Sequence, residues 1–482
     1  MLAALGWPAM LQARALPSLP QPRLAEHLPR LLGGCGLPSA SLGLCITPVD
    51  SPRVLASMNG DTPFVMASTA KIVTSLAALN LLGLRWRWRT HAFATGPIQG
   101  GRLLGDLLIV GGGDPRLTPA ELRRWLQSLR AQGLHEVRGD LVVDRSAFHL
   151  QELDHVGTPL PGLERPHHAR PDALGVEAGV VRVQLQHSRG RVAEIHTEPP
   201  LDATRLVNRL VSGGACTAAL RWHDPPGPLQ LVIDGQWGAS CGVRQFQLPV
   251  PVGTSLAAPM VAGLWRDLGG RVLGRVREGD LSGGRAEGHR LPLMGADGEP
   301  LMPLSTHLSP PLPEVVHEIN KTSNNVAARH LMLSLARGFP TQPATLARAR
   351  DRVHHWLQRQ GLASGDIELD NGSGLSRAER GKPQALVHLL RRAWVDDESR
   401  AFIDSLPVAG VDGTLAHRLQ GGAAMGQAYL KTGTLLDTRA LAGYVRSRSG
   451  RLHAVAMFVN HPEAARATSS IDAVIEQLAL HG

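Results

Sequence analysis

STAKIVTSLAALNLL, residues 68–82, decides how the rest of this chain is read. From Lys71 onward it is apolar or small on nearly every side of a 3.6-residue helix. That is the pattern of a helix buried in the middle of a domain, not one laid along a surface. A lysine inside it is out of character. Of the 50 basic residues only four are lysine (Lys71, Lys321, Lys382 and Lys431), and the other 46 are arginine. Arg and Lys carry the same charge, but only Lys loses its proton at reachable pH. Ser68 stands three residues before Lys71, one turn away on the same helix face. A serine hydroxyl attacks poorly until a base takes its proton, and burial disfavours the ammonium form, so a buried lysine can be that base. S-x-x-K alone is a weak signal, which an incidental serine and a snorkelling lysine also satisfy.

Working outward, residues 23–33 (RLAEHLPRLLG) read as a helix ended by Gly33 and Gly34. ASLGLCITPV and RVLASMNG follow as strands joined by a DSP turn. Near the other end, RALAGYVRS and RLHAVAMFVN flank an RSG turn as a hairpin, and 464–480 reads as a closing helix. Helix, strands, buried helix and, much later, strands and helix describe one α/β (α+β) domain interrupted by a long insertion. The insertion, from about 96 to 300, is mainly β. Its Gly- and Pro-rich text holds GDLLIVGGGDP, VRGDLVVDRSAF, GVVRVQLQ, LQLVIDGQW and VRQFQLPVPV, with one helix over 118–133. Thr118 is the N-cap of that helix, Pro119 its first turn and Gly133 its stop.

The bulk composition narrows the classes. At 482 residues there is room for two or three domains, and 43% hydrophobic with 19% charged residues is ordinary globular text. The net charge of +9 raises the question of nucleic acid. Yet the arginines are scattered, the densest patch being LRWRWRT at 84–90, with no zinc-finger, RNP or basic-helix pattern beside them. No run of 18 apolar residues offers a transmembrane segment. MLAALGWPAMLQARALPSLPQP, with a small-x-small site at Ala13-Arg14-Ala15, resembles an export signal lacking its basic start; a frayed extension fits it nearly as well. Cys35, Cys45, Cys216 and Cys241 form two sequence-local pairs compatible with disulfides in an exported protein, and none has a zinc spacing.

Two further triplets complete the chemistry. Ser323-Asn324-Asn325 opens the helix-like SNNVAARHLMLSLARG, and Lys431-Thr432-Gly433 lies in YLKTGTLL, before the C-terminal hairpin. S-x-x-K, S-x-N and K-T-G, in that order, are the signature of active-site serine penicillin-recognising enzymes. Class A β-lactamases keep the first two motifs close; here about 250 residues separate Lys71 from Ser323. That gap, with ASTAKIVTSLAAL, GDLLIVGGGDP, GDLVVDRSAF, NKTSNNVAARHL, DNGSGLSR, SLPVAGVDGTL and LKTGTL, resembles the class C low-molecular-mass penicillin-binding proteins. These are the penicillin-binding protein 4 type of D-alanyl-D-alanine carboxypeptidase/endopeptidase.

The resemblance implies a penicillin-recognising serine transpeptidase/β-lactamase-like domain over 1–95 and 300–482. It further implies an inserted second domain over 96–175 and 252–299, and a third nested within it over 176–251. Ser68 would attack a peptide or lactam carbonyl, Lys71 take its proton, and Ser323 relay a proton to the leaving amine. Asn325 would hold Lys71 and the substrate amide. Lys431, with the Thr432 and Thr434 hydroxyls, would face the substrate carboxylate; the N–H groups of Ser68 and Thr434 would form the oxyanion hole; and Gly433 would leave room for the substrate as an added strand. Cys216 and Cys241 fall in the nested domain as a disulfide, with Cys35–Cys45 the weaker pair. Peptidoglycan peptides and β-lactam antibiotics are the implied partners and the periplasm the implied compartment, with no metal or cofactor. One departure stands out: family members carry a Trp and an Asp after the D-x-S-x-F phrase. Here GTPLPGLERPHHARPDAL has no Trp and its nearest acid is Glu164, which leaves recognition of a diaminopimelate side chain open.

Competing patterns read as structural. GTSLAAPMVAG, with Ser255, lacks the Asp and His motifs of subtilisin-type proteases; GASCG, with Ser240, precedes a strand instead of a helix. GGGDP lacks the Lys-Ser/Thr of a phosphate loop, and the adjacent pairs His167-His168 and His354-His355 do not share a helix face for a metal. The alternatives kept open are a β-lactamase or esterase with the same motifs, and a wall-binding scaffold with a decayed site. Oligomeric state is not written in these residues.

Overall fold

The buried helix, the helix and strands over 21–58 and the hairpin and helix over 438–481 take the forms their sequences call for. A computed structural model describes residues 21–151, 169–188, 191–201, 205–223, 227, 229–251, 255–279 and 300–482. The leader-like N-terminus, Glu164 and the His167-His168 pair lie outside the described residues. Backbone contacts divide the chain into two compact units: Met1–Phe64 with Lys382–Arg391 and Pro407–Gly482, and Val65–Gly381 with Arg392–Leu406.

The first unit is an antiparallel five-stranded sheet in the order Ala56–Met58, Leu42–Pro48, Leu452–Asn460, Thr438–Arg446, Ala428–Leu435. The three inner strands are buried along almost their whole length. They accordingly read as continuous apolar runs instead of alternating ones. On one face lie the helices Gln21–Gly33 and Thr468–His481. Leu24, Leu28 and Leu32 of the first, at four-residue spacing, meet Ile471, Ile475 and Leu478 of the second over the sheet. Each such side chain fully buried is worth roughly 1.5–3 kcal/mol. Cys35 and Cys45 are buried free thiols and form no disulfide in this unit.

In the second unit the helix Ala70–Leu82 is buried from Ala70 through Leu79. It packs against the helices Leu312–Thr322 and Asn325–Ser334. Its polar residues are satisfied: the Asn320 amide donates to Ser75 Oγ at 3.2 Å and to Ser405 Oγ at 2.8 Å. Two separate cores follow along the insertion. In one, the helices Pro119–Ala131 and Ala257–Asp267 bring Leu122, Leu126, Val261 and Leu264 together with Leu107, Ile109 and Leu141 of the strands. Thr118 and Glu121 form a reciprocal capping box at the start of the first helix. In the other, Val181, Leu185, Leu231, Ile233 and Trp237 fill the space between two three-stranded sheets. A Cys216–Cys241 disulfide closes this part.

The strands Leu206–Ser212 and Ala219–His223 escaped the sequence reading because most of their side chains face solvent. The helix Ala257–Asp267 escaped because its start is the protease-like phrase. Ser255 Oγ accepts the Ala257 N–H at 3.0 Å there, so this serine holds a helix end.

Candidate active site

Ser68 sits in a single 3₁₀ turn, Ala67–Thr69, that feeds the buried helix. Thr69 Oγ1 pins the turn to the Met66 carbonyl at 2.7 Å. Ala67 has φ +46°, a left-handed conformation that costs a non-glycine residue roughly 1–2 kcal/mol. The turn holds this strain next to Ser68, which stays partly accessible between buried neighbours. Its N–H lies among the first donors of a helix, which have no partner within the helix.

Lys71 is fully buried. The oxygens around its Nζ include Ser68 Oγ at 3.0 Å, Asn325 Oδ1 at 2.6 Å and the Ser373 carbonyl. Two of these are acceptors only. They take two N–H bonds from Nζ, which also lies within hydrogen-bond reach of Ser68 Oγ. Asn325 is placed by a helix start. Asn324 is the N-cap, its Oδ1 accepting the Ala327 N–H at 3.0 Å. Ser323 does not open that helix, as the sequence suggests. It is the left-handed residue (φ 58°) ending Leu312–Thr322, so the S-x-N triplet is the corner between two helices.

The sequence reading missed the group that holds the third oxygen in place. DNGSGLSR, residues 370–377, is a loop wrapped around Glu379. Glu379 Oε1 accepts the Gly372 N–H at 2.5 Å and the Asp370 N–H at 3.3 Å, and Oε2 accepts the Gly374 N–H at 2.5 Å. Ser373 is tied down by Asn371, whose Oδ1 accepts its N–H at 3.1 Å and its Oγ–H at 2.5 Å. The available signal was a glycine-rich run followed closely by a single acid, but nothing local says which backbone groups that acid gathers. Its oxygens are engaged by backbone donors, so Glu379 positions the loop.

Desolvation pushes the Glu379 carboxyl pKa up, against the Gly372 and Gly374 N–H groups, which lower it. A group raised in the folded state gives its full stabilisation below the unfolded value. That stabilisation is lost as pH rises through the folded value. Glu379→Gln removes the titration while keeping shape and one acceptor. The melting-temperature gap between variant and parent should therefore move in the variant's favour from about pH 5 to about pH 8. A gap that stays constant over that range would sink this reading.

Lys431, Thr432, Gly433 and Thr434 lie on the edge strand Ala428–Leu435. The segment Pro407–Ala409 covers the start of this edge: the Leu430 N–H donates to the Pro407 carbonyl at 2.8 Å, and the Ala409 N–H to Ala428 O at 2.9 Å. With a period of two, the Thr432 and Thr434 N–H groups point to the same side as that of Leu430. Thr432 Oγ1 bonds Thr414 Oγ1 at 2.8 Å. Lys431 is fully buried, and desolvation pulls its ammonium down to about 7. The other two lysines have plain structural partners: Lys321 Nζ donates to the Leu406 carbonyl at 2.7 Å, and Lys382 pairs with Asp61 at 2.9 Å. Among the described residues no group of three or more His, Cys, Asp or Glu is arranged for a metal.

The D-Ala-D-Ala carboxypeptidase 3 (S13) family model matches residues 24–479. Over 88% of its length the chain is 28% identical to "D-alanyl-D-alanine carboxypeptidase DacB" of Haemophilus influenzae, covering 86% of that protein. It is 30% identical over 89% of its length to "D-alanyl-D-alanine carboxypeptidase" of an Actinomadura species, covering 79% of it. The fold is similar to the crystal structure of penicillin binding protein 4 from Haemophilus influenzae. The TM-score is 0.74 over 93% of this chain and 99% of that one, at 24% identity.

Proposed function

The chain belongs to the D-Ala-D-Ala carboxypeptidase 3 (S13) family, and from that premise we propose that Ser68 is the nucleophile of its serine DD-peptidase activity. The substrates are peptidoglycan stem peptides, cut as a carboxypeptidase and endopeptidase in the periplasm. The observation that carries the assignment is Lys71 Nζ, set between Ser68 Oγ and Asn325 Oδ1 at the head of a buried helix.

Ser68 Oγ attacks the carbonyl carbon of the penultimate D-alanine as Lys71 Nζ takes its proton. The carbonyl oxygen becomes an oxyanion, which we assign to the N–H groups of Ser68 and Thr434. Collapse breaks the peptide C–N bond. The leaving amine receives a proton through Ser323, and the acyl group stays on Ser68 as an ester until water hydrolyses it. Asn325 orients Lys71. Lys431, with the Thr432 and Thr434 hydroxyls, receives the substrate's terminal carboxylate, an anion that favours the charged form of a lysine whose burial opposes it. Gly433 keeps the strand free of a side chain beside the substrate backbone. β-Lactams enter the same cycle and stop at the ester. We also propose the boundaries 96–175 with 252–299, and 176–251, for the two inserted domains; their separate cores support this.

A β-lactamase reading needs a base for the deacylating water. The buried carboxylate nearest in sequence to the lysine-binding carbonyl is Glu379, and its oxygens hold backbone N–H groups. This favours the slow ester of a penicillin-binding protein. The test is intact-mass measurement after mixing with a labelled penicillin, followed by peptide mapping. A long-lived adduct on the peptide containing Ser68 is expected. Label on Ser255 or Ser240 would overturn the assignment.

A further inference from the structure

LRWRWRT, the densest basic patch of the chain, has no part in the acyl-transfer chemistry. Arg85, Arg87 and Arg89 are exposed, while Trp88 is buried and Trp86 half-buried between them. The indoles of Trp86 and Trp88 meet edge to face at 6.3 Å, and Trp86 lies 6.3 Å from the Phe339 ring. This aromatic cluster lines a cavity of about 590 Å³ whose other walls include Leu82, Leu308 and Pro340, with the arginines and His91 around it. None of its lining residues is acidic.

Two features leave it unsatisfied as it stands. Trp88 Nε1 donates to Ser334 Oγ at 2.8 Å, but Trp86 Nε1, shielded from solvent, has no acceptor among the described residues. Arg87 donates to the Ser309 carbonyl at 2.7 Å, whereas no hydrogen bond or ion pair engages the Arg85 and Arg89 side chains among the described residues.

Aromatic walls take up the C–H faces of sugar rings, a shielded indole N–H needs a carbonyl or hydroxyl oxygen, and guanidinium groups pair with carboxylates. All three needs are met by an N-acetylated aminosugar chain carrying carboxylates. The cavity also lies at a suitable distance. Leu82 ends the 13-residue helix that begins two residues after Ser68. At 1.5 Å per residue this sets the cavity about 20 Å from the nucleophile within the same unit. The four stem residues between the sugar and the scissile carbonyl span roughly 14 Å when extended, and the sugar units between cavity and stem cover the rest. We propose that this cavity is a second binding site that holds a peptide-free, and therefore anionic, stretch of the glycan strand, beside the sugar whose stem peptide runs to Ser68. The proposal rests on the peptidoglycan reading above.

The test is calorimetric titration of the full chain with peptide-free peptidoglycan glycan strands, which carry free lactyl carboxylates and cannot be hydrolysed by a peptidase. Neutral N-acetylglucosamine oligomers and vesicles containing phosphatidylglycerol are the comparison probes. The anionic glycan should bind roughly tenfold more tightly than the neutral oligomer, and Arg85→Glu with Arg89→Glu should erase that preference. Trp86→Phe, which keeps a ring and loses the N–H, should weaken both sugars by roughly fivefold. All variants should acylate with penicillin at the parental rate. No glycan binding by the parent, or equal binding by the double reversal, overturns the proposal. So does binding to vesicles alone that is lost on reversal, which would make the patch a lipid contact. Failure of Ser68 to acylate would count against the peptidase assignment and would leave this binding measurement readable.

Discussion

Lys71→Arg should acylate as slowly as Lys71→Ala, with both falling roughly 10³–10⁴-fold below the parent in the rate of penicillin ester formation. Arginine keeps the charge, but it does not give up its proton at working pH and so cannot accept one from Ser68. The environment reinforces this. The Lys71 amine is fully buried against Ser68 Oγ, Asn325 Oδ1 and the Ser373 carbonyl, a pocket shaped for one nitrogen and not for a planar fork. Stopped-flow acylation, with a thermal melt of each variant to confirm that the buried helix persists, decides the matter. If the Arg variant kept a tenth of the parental rate, the charge at this position would matter more than its basicity. Lys71 would then lose its role as base.

Gly374→Ala should cost roughly 10²-fold in the same rate, through displacement and not through chemistry. Gly374 has φ +86°, and a β-carbon there would lie 2.0 Å from the Ala67 oxygen, 2.2 Å from its carbonyl carbon and 2.5 Å from the Ser68 nitrogen. All three are backbone atoms next to the nucleophile, and none can swing aside. Either the loop lifts and takes the Ser373 carbonyl off Lys71, or the Ala67–Ser68 peptide shifts and moves the serine and its N–H. Gly365→Ala is the control: its φ is +85°, with nothing within 4 Å of the added carbon. That variant carries the conformational penalty without the clash, so it should lose stability and keep its rate. A Gly374→Ala enzyme within about threefold of parental would show that the loop yields harmlessly.

The contact of Ser68 with Lys71 was legible because the two lie one helical turn apart, where sequence spacing is spatial spacing. Asn325 was legible only through the order of the motifs, since its bond to Lys71 joins residues 254 positions apart. The Ser373 carbonyl and Glu379 were not legible. A backbone oxygen has no signature in the side-chain text, and Glu379 acts by gathering N–H groups that every residue but proline carries. The same limit explains the fold. Inner strands and the buried helix announce themselves by unbroken apolar runs, whereas Leu206–Ser212, with most side chains in solvent, reads as loop. The shift of Ser323 from helix start to helix corner depends on one positive φ, which no propensity favours at a serine.

The five-stranded sheet sets a clock on the protein's own birth. Leu42–Pro48 draws its register from Leu452–Asn460, with Leu44 opposite Met457. A ribosome adding about 5–20 residues per second therefore finishes the first strand roughly 20–80 s before its main partner exists. Through that interval the nascent chain holds Leu42, Leu44 and Ile46, all fully buried at the end, with only the three-residue strand Ala56–Met58 to pair against. A lone hairpin of that size is marginal in water. The strand Leu42–Pro48 must therefore be kept from sticking elsewhere until Leu452–Asn460 arrives, and losing either segment dismantles the same sheet.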